Sequence, residues 1–146
     1  MSARMKNLIV LFHGHVSACP PVLNFIQSAN DLGYNLKLIC AELMPDTRQY
    51  LEENVRDLEI INLNVFAKHK NKLSRLMYWF QFRKAVWKYI DQQKGGFDAL
   101  WISSADTALC LGKKLLGHTY FLNVLELYDK LPWHLKLLKN YARRAH

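Results

Sequence analysis

NLIVLFHGHVSACPP, residues 7–21, is the stretch whose reading decides the fold. Its first part, Asn7–Phe12, is almost continuously apolar rather than alternating, which is how a strand buried on both faces of a parallel sheet reads. A polar loop, His13–Cys19, follows. Pro20 and Pro21 then open a helix, because the fixed φ of proline suits the first helical positions. Strand, loop and helix in that order form the front of a βαβ unit.

The same unit recurs outward from there. Apolar runs return at Asn35–Cys40, Leu58–Leu63, Ala99–Ile102 and Tyr120–Leu125. Between them the spacing predicts helices over Val22–Leu32, closed by Gly33; Pro45–Asn54; Lys72–Gln93, ended by Gly95 and Gly96; and Thr107–Leu116, stopped by Gly117. A fifth begins at Pro132. No hairpin signal interrupts the alternation, so the expected fold is an α/β, Rossmann-like, open and doubly wound parallel sheet in the order 3-2-1-4-5, with helices on both faces. Residues 1–146 make one such domain. The order reverses between strands 1 and 4, so the loops His13–Cys19 and Ser103–Asp106 should line the ligand crevice, flanked by Glu126–Lys130.

Composition narrows the setting. The chain has 146 residues, enough for a core without disulfides or metal, and its three cysteines are odd in number and scattered, as reduced structural thiols are. The short first strand is wrongly flanked for a secretory signal and no run reaches the length of a membrane span, so a cytoplasmic protein is expected. The net charge of +8 is unevenly placed. Residues 65–94 carry eight Lys/Arg against one Asp, residues 130–146 carry five and no acid, and residues 31–59 carry seven acids against three bases. Such polarity suits an anionic partner: phosphate, a lipid surface or nucleic acid.

The first crevice loop offers His13, Gly14 and His15. It lacks the three glycines of a dinucleotide site and the Gly-Lys-Ser/Thr of a P-loop. His13, His15 and Cys19 match no zinc spacing, and no metal is expected. The second loop turns from strand into Ser103, Ser104 and Asp106, whose hydroxyls and carboxylate suit sugar hydroxyls or proton transfer, while Ser104 or Asp106 also suits a helix cap. Capping is the reading favoured for Asp106. Glu126 ends an apolar run, where a carboxylate is costly unless it is paired or solvated in a cleft.

The long third helix carries two apolar stripes. Leu73, Leu76, Met77, Phe80, Trp87 and Ile90 are expected to pack on the sheet. Tyr78, Trp79, Phe82, Val86 and Tyr89 would then lie opposite, so that Arg75, Tyr78, Trp79, Phe82 and Lys88 become candidates for a bilayer interface. Packing on a neighbouring helix or domain remains the alternative for that second stripe. Single-stranded nucleic acid is disfavoured, since the aromatics lie on a helix and no recognised motif accompanies them.

Three segments together resemble a known family: DALWISSAD at 98–106, ELYDK at 126–130 and KNYARRA at 139–145. The chain is similar to the N-terminal, acceptor-side domain of GT-B glycosyltransferases, nearest the family 4-like enzymes of bacterial surface polysaccharide synthesis. The resemblance implies a transferase acting on a sugar, glycan or lipid-linked acceptor, with a nucleotide-sugar donor held by a second domain and no cofactor held by this one. It implies that Gly14 lies near the donor phosphates and that Glu126 is an acid of the interdomain cleft. Members continue into a sixth strand and a donor domain, and many place a His where this chain has Leu125. The expectation is therefore an N-terminal half, inactive alone, lacking the last strand and the donor domain. The competing expectation is a non-catalytic subunit that anchors a separately encoded donor domain to the membrane. In either case the final helix would leave Leu135, Leu138 and Tyr141 partly uncovered, or covered by another copy of the chain.

Overall fold

The computed structural model describes residues 6–65 and 71–123. Nine main elements alternate: β1 (Asn7–His15), α1 (Pro20–Asp31), β2 (Asn35–Glu42), α2 (Pro45–Asn54), β3 (Glu59–Asn62), α3 (Lys72–Gln92), β4 (Ala99–Ile102), α4 (Ala105–Leu111) and β5 (Tyr120–Leu122). Short 3-10 turns at Val16–Ala18 and Lys113–Gly117 join them. The strands form one sheet in the order β3-β2-β1-β4-β5, every pair parallel. This is the doubly wound order read from the sequence. Glu126 and the helix expected from Pro132, with Leu135, Leu138 and Tyr141, lie outside the described residues.

Strand alternation sends successive side chains to opposite faces, and both faces are covered. Leu8, Val10, Leu36 and Leu38 meet Val22 and Ile26 of α1 and Leu51 of α2 on one side. Ile9, Leu11, Ile39, Leu100 and Ile102 meet Tyr78, Phe82 and Val86 of α3 and Ala108 and Leu111 of α4 on the other. Burial on both faces is why the strand sequences lack alternation.

The face of α3 is the main correction to the expected packing. Tyr78, Phe82, Val86, Trp87 and Ile90 are buried, whereas Leu73, Leu76, Met77 and Phe80 are exposed. Of the bilayer candidates, Tyr78 and Phe82 therefore belong to the core, Trp79 is half-buried, and Arg75 and Lys88 are exposed. Polar contacts explain the choice. Tyr78 donates its hydroxyl to the carbonyl of His13, Arg83 Nε donates to the Cys110 carbonyl at 2.5 Å, and Trp87 Nε1 donates to the Leu111 carbonyl at 3.0 Å. These three donors satisfy backbone carbonyls only when that side of the helix faces inward.

The fourth helix is shorter than expected. Gly112 adopts φ 71°, a conformation that ends α4 at Leu111 and that side chains other than glycine rarely take. An added Cβ there would also lie 3.0 Å from the Arg83 guanidinium carbon. The cysteines are free. Burial pushes the thiols of Cys40 and Cys110 up to about 12, which keeps both protonated and unreactive near neutrality.

His118 gives the fold a pH response. Its ring stacks on Trp87 at 5.3 Å, and burial, aided by the Lys114 ammonium and opposed by Asp91, holds its pKa below the ordinary histidine value. The unfolded chain therefore binds this proton more readily, and acidification below about pH 6.5 favours unfolding. The melting temperature should fall from pH 7 to pH 5, and His118→Phe, which keeps a ring on Trp87, should flatten that fall. An equal pH slope in parent and variant would refute the assignment.

Candidate crevice at the carboxyl edge of the sheet

The ends of β1 and β4 converge where the strand order reverses. β1 runs on to His15, with a register irregularity between Phe12 and His15. Gly14 permits this, since a Cβ there would fall 2.9 Å from Cζ of the Phe12 ring. His13 and His15 are thus carried on the tip of a central strand rather than on a loose loop.

His13 is joined to α4 through a residue the sequence reading passed over. The Thr107 hydroxyl accepts from the His13 amide at 3.2 Å, lies 2.8 Å from His13 Nδ1, and lies 2.7 Å from Ser104 Oγ. Ser104 Oγ in turn accepts from the Thr107 amide at 3.0 Å, so Ser104, and not Asp106, caps α4. Asp106 sits in the first helical turn, half-buried, where a carboxylate complements the helix dipole. The signal for Thr107 was present in the spacing Ser-x-x-Thr, which brings two hydroxyls together across a first turn.

Proton counting allows this set two balanced states. With the Nδ1–H tautomer, the imidazole donates to Thr107, Thr107 donates to Ser104, and the Ser104 hydrogen is left for a ligand. With the Nε2–H tautomer, Ser104 donates to Thr107 and Thr107 donates to Nδ1. All heavy-atom positions are the same in both. The ring is held from the other side by Trp79 and Phe82, at 6.2 and 6.5 Å in edge-on contact, and the Arg75 guanidinium lies over Trp79 at 5.3 Å.

His15 pairs in register with Glu42 at the end of β2, its Nε2 lying 3.9 Å from the carboxylate. Its buried Nδ1 has no hydrogen-bond partner among the described residues, and neither has Ser103 Oγ, on a residue 1 % exposed. A buried hydroxyl without a partner is uncommon, and at a crevice it is a position from which a bound group can be recognised. Gly14, His13, His15, Ser103, Ser104 and Asp106 are therefore all carried at this edge.

The crevice is poorly made for phosphate on the side of α1. Pro20 and Pro21 open that helix and carry no amide hydrogen, and the Val22 amide is already given to the Cys19 carbonyl at 3.0 Å. The free amides that usually hold an anion at a first-helix N-terminus are missing. Among the described residues, no three His, Cys, Asp or Glu side chains gather closely enough to hold a metal ion. A separate cavity of about 320 Å³, lined by Lys6, Tyr34, Asp98, Thr119 and Phe121, lies at the opposite edge, at the start of β1 and β4.

Neither a family model nor a curated protein matches the sequence. Solved structures do match in shape. The C-terminal domain of a hydrogenase from Pyrococcus furiosus superposes with a TM-score of 0.57 at 10 % identity, over 82 % of this chain and 92 % of that one. TcCGT1 in complex with UDP gives 0.60 at 14 % identity, over 95 % of this chain and 31 % of that one. A glycosyltransferase from Rickettsia africae gives 0.53 at 14 % identity, over 94 % and 33 %. The chain thus spans about a third of the length of the two glycosyltransferases, which are neighbours in fold. At such identities the likeness is one of architecture, and architecture is shared by proteins of different activity.

Proposed function

We propose that the chain is the acceptor-binding half of a GT-B glycosyltransferase of the family 4-like kind, with the nucleotide-sugar donor held by a second domain or a separate subunit. The observation that carries this reading is the superposition of 94 to 95 % of the chain on a third of each of two glycosyltransferases. The crevice chemistry supports the same division of labour. Pro20 and Pro21 weaken the phosphate-binding end of α1, while Ser103, Ser104 and the imidazole of His13 present donors and acceptors suited to sugar hydroxyls. His13 is a candidate base for an acceptor hydroxyl among the described residues, since Thr107 holds its Nδ1 and fixes the ring.

Titration of the isotope-labelled chain separates the two ligand classes. A lipid-linked or free oligosaccharide acceptor should shift the amide signals of His13, Ser103 and Thr107, and UDP-glucose should not shift them at millimolar concentrations. Sugar transfer by the chain alone, or sub-millimolar binding of UDP-glucose in the crevice, would overturn the half-enzyme reading. The second reading, a non-catalytic subunit that anchors a donor chain, is favoured by the exposed apolar stripe of α3. It predicts membrane binding without any acceptor-induced shifts in the crevice.

A further inference from the structure

We infer that the N-terminal half of α3 is a docking surface for anionic lipid, and that it seats the crevice against the membrane. The assignment starts from the exposed side of the helix. Leu73, Leu76, Met77 and Phe80 follow the spacing i, i+3, i+4, i+7 and are 66, 63, 57 and 65 % exposed. Half of the eight large hydrophobic side chains exposed among the described residues fall on these two turns. Scattered exposed apolar residues are ordinary, but a contiguous row of four is not.

The row cannot be turned inward. Tyr78, Arg83 and Trp87 each donate to a backbone carbonyl of the sheet or α4 side, and Phe82 and Val86 are fully buried between them. Further along the helix the outward positions become Lys84 and Lys88, so the apolar exposure is confined to the half nearest the crevice.

Charge selects the occupant. Lys72, Lys84 and Lys88 are exposed around the row, and Arg75 projects near the crevice beside Trp79. The one acid of the helix, Asp91, lies at its far end and is held by Lys114 at 2.7 Å. An apolar stripe set among cations, on a helix whose one acid lies at the far end, is the pattern of a helix lying in the plane of an anionic bilayer surface. The location adds a consequence. Trp79 meets the His13 ring, so stripe and crevice open at the same edge of the sheet. A helix bedded at the headgroups would hold the crevice where a lipid-linked acceptor is presented; that last step rests on the function proposed above, whereas the docking does not.

The test is sedimentation of the full chain with vesicles of phosphatidylcholine containing phosphatidylglycerol. Binding is expected at low salt, is expected to be weak on pure phosphatidylcholine, and should decline as salt is raised. Leu76→Glu with Phe80→Glu should lower the partition coefficient by about tenfold or more. Lys84→Glu or Lys88→Glu should lower it by roughly fivefold or more, from about 1 kcal/mol for each cation lost. Because all four positions are exposed, the unfolding midpoints should stay at the parent value, which excludes misfolding as the cause. Unchanged partition in the double variant would overturn the proposal, as would no binding by the parent. A parent that is a dimer, fails to bind vesicles and is split by Phe80→Glu would assign the stripe to a second copy and likewise refute it. Loss of acceptor-induced shifts with vesicle binding intact would remove the proposed function and leave the docking surface standing; the reverse result would do the opposite.

Discussion

Phe82→Ala should lower the unfolding free energy by about 3 to 5 kcal/mol, while Phe80→Ala, two residues away on the same helix, should change it by no more than about 0.5 kcal/mol. Phe82 is fully buried among Ile9, Leu11 and Leu100, where truncation removes apolar contacts and leaves a cavity the sheet cannot close. Phe80 is 65 % exposed, so its removal takes little from the folded state. Urea denaturation of both variants reads the difference directly as a shift in midpoint. If Phe80→Ala were the costly change, the face of α3 would be assigned the wrong way round. The Phe82 variant should also loosen the His13 ring, which rests edge-on against it.

Thr107→Val should cost about 2 to 3 kcal/mol although it preserves volume, and Thr107→Ser should recover most of that loss. The hydroxyl is completely buried and serves the His13 amide, the His13 ring and Ser104 together. Valine removes the acceptor of the His13 amide and the hydroxyl partner of His13 Nδ1 and Ser104, leaving Ser104 only its bond from the residue-107 amide, and losing one partner of a buried polar pair is more costly than never having had the bond. Equilibrium unfolding measures the stability, and the ring-proton titration of His13 followed by NMR measures the local effect. Equal stability of parent, Val and Ser variants would show that water replaces the hydroxyl and that the triad does not fix the imidazole.

The architecture was legible because burial on both faces leaves a plain trace, near-continuous Leu, Ile and Val, and because Pro20, Pro45, Gly33 and Gly95 punctuate the helices. Residues 73–90 resisted the same treatment. They are apolar on nearly every side, so helical spacing permits two inward faces, and the choice falls to hydrogen bonds with His13, Cys110 and Leu111 that sequence spacing does not encode. The crevice loops were placed by topology, which needs only strand order. Thr107 escaped because a threonine at a helix start reads as local chemistry, and its long-range role depends on β1 arriving alongside α4. Gly112 escaped because its apolar flanks, Leu111 and Leu115, continue the helical pattern across it.

The sheet also separates charge. α2, on one face, carries Asp46, Glu52 and Glu53 against Arg48, and α3, on the other, carries Lys72, Arg75, Arg83, Lys84 and Lys88 against Asp91. A slab with opposite signs on its two broad faces has an electric dipole along its short axis. Near any charged plane such a body experiences a torque at a distance of about one Debye length, roughly 8 Å at physiological salt, before any side chain makes contact. Near an anionic plane the charges of α2 and α3 therefore contribute a torque that acts by rotation before adhesion, turning the α3 face toward the plane.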